Sequence, residues 1–444
     1  MKKLTLPEDS KMMQSNFIFG VATSSFQIEG AKAQRCESIW DRFCEQPGTI
    51  VDNSNGDQAC QHVLRWQQDI ELIESLGVDA YRLSVSWPRV MSDNGQLNRQ
   101  GIDFYKQLVS ALVAKQIKVF VTLYHWDLPQ SLEEKGGWLN RDTAYAFADY
   151  ADVVSRELGD AVYAYTTLNE PFCSAHLGYE IGIHAPGIKS QQAGRQAAHH
   201  LLLAHGLAMA RLRQNCPNSL HGIVLNFANA IPATHSQADI DAAKIADDYC
   251  NHWYLKPLID GCYPTLLQQL DPEVQPQVQA EDLDIISAPL DYLGVNYYTH
   301  NRYRADGKGW YELVEPTCEH LTTMGWEVVP DSFRDLLTQL NSQYHLPPLY
   351  ITENGAAFAD DINNDCVMDE VRVDYFNGHL NAVHEAINAG VDIRGYFAWS
   401  LMDNFEWAEG YTQRFGIVYV DYKTQKRTPK LSALAYRDLI TSRK

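Results

Sequence analysis

The sequence predicts an α/β fold: eight parallel strands, each followed by a helix, closed into a (β/α)8 TIM barrel with enlarged strand-to-helix loops. Three observations predict it. Eight short apolar runs recur along the chain. They are apolar nearly throughout, as strands covered by helices on both faces must be. A helix-patterned segment separates each run from the next. A barrel of this kind takes ~250 residues, so the 444 residues here leave room for insertions, and the expectation is one domain over 1–444 with 1–15 as an N-terminal extension.

The predicted strands lie in residues 17–27, 80–87, 119–126, 162–170, 222–226, 292–298, 349–354 and 393–400. The helices between them are exemplified by Phe376, Leu380, Val383 and Ile387, spaced to share one helical face in a segment ended by Gly390. Two long insertions remain. Residues 261–290, rich in Pro, Gln and acids, precede the sixth strand, and 299–329, with Trp310, Tyr311 and Trp326, follow it. The second is a strand-to-helix loop, placed on the carboxyl face where barrels carry their sites.

Composition narrows the partners. A net charge of −20 repels phosphate backbones and anionic headgroups, which argues against nucleic acid and membrane partners. Protein partners are not readable. No apolar run reaches the ~20 residues of a membrane span, and the start lacks a signal-peptide core, so the expected compartment is cytoplasmic. Nine cysteines without a C-x-x-C read as reduced, mostly buried thiols. His199, His200 and His205 do not share one helical face as a metal-binding pair would, and are read as packing or surface residues.

The carboxyl ends of the predicted strands carry Gln27, Arg82, His125, Trp126, Asn169, Glu170, Asn226, Asn296, Tyr298, Glu353, Asn354 and Trp399. Two glutamates can divide acid and nucleophile roles, amides and imidazole read hydroxyls, and indoles stack on sugar rings. This points to a carbohydrate-cleaving barrel, with a purely structural reading of the same residues still open.

Six ordered motifs carry a family resemblance: Gln27-Ile28-Glu29-Gly30, Tyr124-His125-Trp126-Asp127-Leu128-Pro129, Thr167-Leu168-Asn169-Glu170-Pro171, Gly294-Val295-Asn296-Tyr297-Tyr298, Ile351-Thr352-Glu353-Asn354-Gly355, and the stretch from Trp399 to Trp407. The sequence resembles glycoside hydrolase family 1, the β-glucosidase family. The resemblance implies a retaining enzyme without cofactor or metal that takes small-molecule β-glucosides: cellobiose, short cello-oligosaccharides and aryl or alkyl glucosides. Side activity on β-galactosides or β-fucosides, and transglycosylation, would be possible. The alternatives are a catalytically idle sugar-binding barrel or a predominant transglycosidase.

Carried over by motif, Glu170 would be the acid/base and Glu353 the nucleophile, supported by Arg82 and Tyr298. Gln27, His125, Asn169, Glu406 and Trp407 would contact sugar hydroxyls. Trp399 would be the ring platform, Trp126 would also bind substrate, and Asn296 would orient Tyr298. Phe415 would flank the C6 group, and Trp326 would stack on the leaving group. Phe172 stands where the family usually has Trp, implying a smaller stacking face there. Glu406 argues against phosphorylated sugars, whose family branch has a small residue at that position.

Overall fold

The computed structural model describes residues 2–318, 320–363 and 366–443; Met1 of the expected extension and Glu319 of the 299–329 insertion lie outside them. Each apolar run carries one barrel strand: β1 Ile18–Ala22, β2 Ala80–Ser84, β3 Lys118–Tyr124, β4 Ala164–Asn169, β5 Leu220–Phe227, β6 Tyr292–Tyr297, β7 Leu349–Asn354 and β8 Ile393–Trp399. They pair in parallel and in sequence order, and β8 closes the barrel on β1 with Ile18 opposite Gly395 and Ala22 opposite Trp399.

Two apolar layers hold this arrangement. Inside the barrel, the small Ala22, Ala80 and Ala164 pack with Phe120, Tyr292, Tyr350 and Phe397, so large rings fill the space small residues leave. Gly20 belongs to the same device: a Cβ there would come within 2.4 Å of the Phe397 ring. Outside, the strands' other faces pack against helices such as Glu370–Asn388, which buries Phe376, Leu380, Val383 and Ile387. That helix ends just before Gly390, whose φ of +102° favours glycine.

The insertions are more ordered than the sequence suggested. The first half of the loop after β6 forms an antiparallel pair, Asn301–Ala305 with Tyr311–Val314, and Ala230–Pro232 from the loop after β5 joins it as a parallel third strand. This small sheet builds one side of the barrel's carboxyl mouth. Segment 261–290 is pinned by Asp282, which accepts from Arg141 Nη1 at 2.9 Å and pairs with His199 Nε2 at 2.8 Å.

Candidate active site

Both strand-end glutamates are presented by irregular backbone. β4 loses register with β5 between Thr166 and Asn169, and β7 loses register with β6 between Ile351 and Glu353. Bulges of this kind re-aim a side chain. Glu170 follows β4 with φ of +48°, a left-handed conformation that a residue with a side chain holds only when its surroundings impose it. Glu170 and Glu353 thereby line one cavity of about 350 Å³ at the carboxyl mouth.

Their surroundings differ. Glu353 accepts from Arg82 Nη1 on Oε1 at 2.5 Å and from the Tyr298 hydroxyl on Oε2 at 2.6 Å. Glu170 accepts from Asn296 Nδ2 on Oε1 at 2.5 Å, with the Cys173 thiol 3.1 Å from Oε2. Arg82 Nη2 also donates to Asn169 Oδ1 at 2.6 Å, and Asn296 Nδ2 reaches the same oxygen at 3.1 Å. The two carboxyls are thus joined through Arg82, Asn169 and Asn296.

The remaining predicted residues divide into two groups. His125, Trp126, Tyr298, Trp326, Trp399, Glu406, Trp407 and Phe415 line the cavity with the two glutamates. Gln27, Arg82, Asn169 and Asn296 stand behind its wall and are fully buried or nearly so. Gln27 donates to Asn404 Oδ1, the Phe405 carbonyl and Glu406 Oε2, and accepts from Ser24; its amide ties the loop carrying Glu406 to the barrel. The Trp126 indole N–H is spent on the Asn169 carbonyl at 2.9 Å, so Trp126 offers the cavity its ring. His125 is near-parallel to Trp399 and to Trp407, with ring centres 5.9 Å from each. Trp326 packs against Tyr298 and Phe415 at the outer wall.

Burial and crowding set the charges. Burial, then the neighbouring Glu353 charge, push the Glu170 carboxyl up to about 8. Burial, with the charges of Glu353 and Glu170, does the same to Glu406, also to about 8. His125 is held well below the usual imidazole range by burial and by the Arg82 charge, and is neutral. Tyr298 is pushed well above the phenol range by burial and by Glu353, so it stays a donor.

The whole-chain comparisons agree with one another: the model of glycosyl hydrolase family 1 matches residues 9–444. The chain belongs to that family. It is 46% identical over 432 residues to a β-glucosidase of an Agrobacterium species, covering 96% of this chain and 94% of that one. It is 42% identical over 452 residues to the bifunctional β-D-glucosidase/β-D-fucosidase of Bifidobacterium breve, covering 96% and 97%. The virulence factor SghA of Agrobacterium tumefaciens, solved with its substrate analogue salicin, superposes with a TM-score of 0.94 at 45% identity, covering 96% of each chain.

For this member of glycosyl hydrolase family 1, sequence reasoning missed several residues. Cys173, Leu177, Ile183, His184 and Glu409 line the cavity, and Thr352 bonds Asn296 from behind. Cys173 was signalled by its position three residues after Glu170 at the start of a helical segment, where i and i+3 share a face. The segment, Cys173–Glu180, is a π-helix, a form frequent at functional sites. The three histidines each have protein partners: His199 binds Tyr263 and Asp282, His200 the Trp138 carbonyl and Gln196, and His205 the Thr167 hydroxyl. No helix among the described residues is long and apolar enough to cross a membrane.

Proposed function

We propose that this chain is a retaining β-glucosidase that removes terminal non-reducing β-D-glucosyl residues by double displacement, with Glu353 as nucleophile and Glu170 as acid/base. The observation that carries the reading is the contrast between the two carboxyls of one cavity. Glu353 receives a guanidinium on one oxygen and a phenol on the other. Glu170 receives an amide and a thiol, and burial beside Glu353 keeps it protonated at neutral pH. A nucleophile must arrive ionised and an acid protonated.

In the first step a Glu353 oxygen attacks C1 as the C1–O bond breaks, and the departing oxygen takes the Glu170 proton. The Glu353 charge is consumed in the glycosyl ester, so Glu170 ionises freely and can take a proton from water. Water then attacks C1 and frees Glu353. Tyr298 and Arg82, which hold one Glu353 oxygen each, fix the line of attack. His125, Glu406 and Trp407 surround the sugar hydroxyls over the Trp399 platform, with Gln27 and Asn169 as their supports. Phe415 and Trp326 bound the C6 and leaving-group sides.

Substrates in this reading are cellobiose, short cello-oligosaccharides and aryl or alkyl β-glucosides. The relative's bifunctional name supports a side activity on β-fucosides, and the apolar Phe415 at the cavity suits a sugar lacking the C6 hydroxyl. A cytoplasmic setting suits the free thiols of this chain. Following 4-nitrophenyl β-glucoside and cellobiose cleavage by NMR tests the reading. Initial release of β-glucose is expected; initial α-glucose overturns the retaining mechanism, and absence of cleavage overturns the β-glucosidase activity.

A further inference from the structure

The orientation of every group around Glu170 follows from one donor. Arg82 carries only N–H donors, so the Asn169 atom 2.6 Å from its Nη2 is the amide oxygen. That oxygen only accepts, so the Asn296 atom 3.1 Å from it is the amide nitrogen. Asn296 therefore turns its own oxygen to the Thr352 hydroxyl, which donates to it at 2.7 Å. The two Asn296 hydrogens are then fully committed, one to Asn169 and one to Glu170 Oε1 at 2.5 Å. Facing an N–H donor, Oε1 accepts, so when Glu170 is a protonated acid Oε1 is its carbonyl oxygen. The transferable proton is left to Oε2, whose neighbour is the Cys173 thiol at 3.1 Å.

We propose that Thr352 and Cys173 are positioning residues of the acid/base, Thr352 acting through Asn296 to hold Oε1 as acceptor and Cys173 attending the proton-bearing Oε2. This rests on the reading of Glu170 as acid/base. When Oε2 is protonated, the thiol rotates away or accepts. Once the proton has passed to the leaving oxygen, the S–H donates to the new carboxylate. The thiol thus favours the ionised form, the base of the second step, and opposes the burial that raises Glu170. Cys173 itself stays protonated, pushed well above the thiol range by burial and by Glu170. The other charged or titratable groups facing Glu170 are Glu353 from β7, Arg82 from β2, Tyr298 after β6 and Glu406 from the loop after β8, and the test leaves all four in place.

The experiment compares pH profiles of kcat/KM with cellobiose and 4-nitrophenyl β-glucoside, whose leaving groups draw on the Glu170 proton, for wild type, Cys173→Val, Cys173→Ser, Thr352→Val, Thr352→Ser and Glu170→Gln. Each Val variant removes hydrogen-bond support of the carboxylate, so the basic limb should move up by about half a pH unit or more. The Ser variants keep a hydroxyl donor and should hold the limb at or below its wild-type position. A limb unmoved in both Val variants overturns the proposal, and a limb moved in one alone overturns the role of the other residue. Ser variants whose limbs rise like their Val counterparts overturn the hydrogen-bond explanation. A basic limb surviving in Glu170→Gln overturns instead the assignment of Glu170 as acid/base.

Discussion

Two clusters of three acids lie near each other at the barrel mouth and are built on opposite principles. Behind the Phe415 loop, Asp360, Asp369 and Asp403 meet Arg372, Arg414 and Lys430. Arg372 pairs with Asp360 at 2.9 Å and Asp369 at 2.5 Å, Lys430 with Asp360 at 2.5 Å and Asp403 at 2.7 Å, and Arg414 with Asp403 at 2.6 Å. In the cavity, Glu170, Glu353 and Glu406 have, among the described residues, the single ion pair of Glu353 with Arg82. Burial would raise Asp360, but Arg372 and Lys430 outweigh it and its carboxyl lies below the usual range. At Glu170 the opposing Asn296, Cys173 and Arg82, and at Glu406 the opposing Gln27, do not outweigh burial. The balanced cluster fixes the loop that carries Phe415; the unbalanced one retains protons at neutral pH. Chemistry sits where the cations run short.

The comparison breaks most sharply at Glu353, the proposed nucleophile. Glu353→Ala should lower kcat/KM by about four orders of magnitude or more, measured with 4-nitrophenyl β-glucoside. Glu170→Ala should cost ~10²–10⁴ for poor leaving groups and much less for dinitrophenolate, which needs no proton.

In the balanced cluster the loss falls on stability. Asp403→Ala leaves Arg414 without its carboxylate and Lys430 with Asp360 alone, and urea unfolding should show a loss of about 3–5 kcal/mol. The positions of the pH limbs of the folded fraction should be unchanged.

A smaller effect concerns stability against pH. Glu406 keeps a proton in the fold up to about 8, while the unfolded chain releases it near the ordinary glutamate value of 4.5. The fold then binds more protons than the unfolded chain, so stability is lost as pH rises through this window. Glu406→Gln removes that proton, and its melting temperature should fall less between pH 5 and 8 than the wild-type value. An equally steep fall in both proteins would contradict the raised Glu406. Smallest should be Trp326→Ala, which removes one stacking face and should raise KM for aryl glucosides by about fivefold, with kcat little changed.

The strands were legible because burial on both faces writes an unbroken apolar run, and the glutamates were legible because they end two such runs. The three-stranded sheet formed by 230–232, 301–305 and 311–314 was not, since its strands are three to five residues long and pair across two different loops. Residues that touch the cavity were read more readily than those that orient them. Thr352 looked like one more β-branched strand residue, and its hydroxyl matters only because Asn296 on β6 lies beside it. The bonds that hold Gln27 and Asn169 behind the wall run to Glu406 and Arg82, each far away in sequence. Bulges in β4 and β7 left no composition signal at all.

The central claim, that burial beside Glu353 keeps Glu170 protonated, is tested most directly by a ¹³C NMR titration of the Glu170 carboxyl in wild type and in Glu353→Gln. The account predicts a midpoint about 8 in wild type and a clear fall once the Glu353 charge is gone. A wild-type midpoint in the ordinary carboxylate range, or one unmoved by Glu353→Gln, would contradict it.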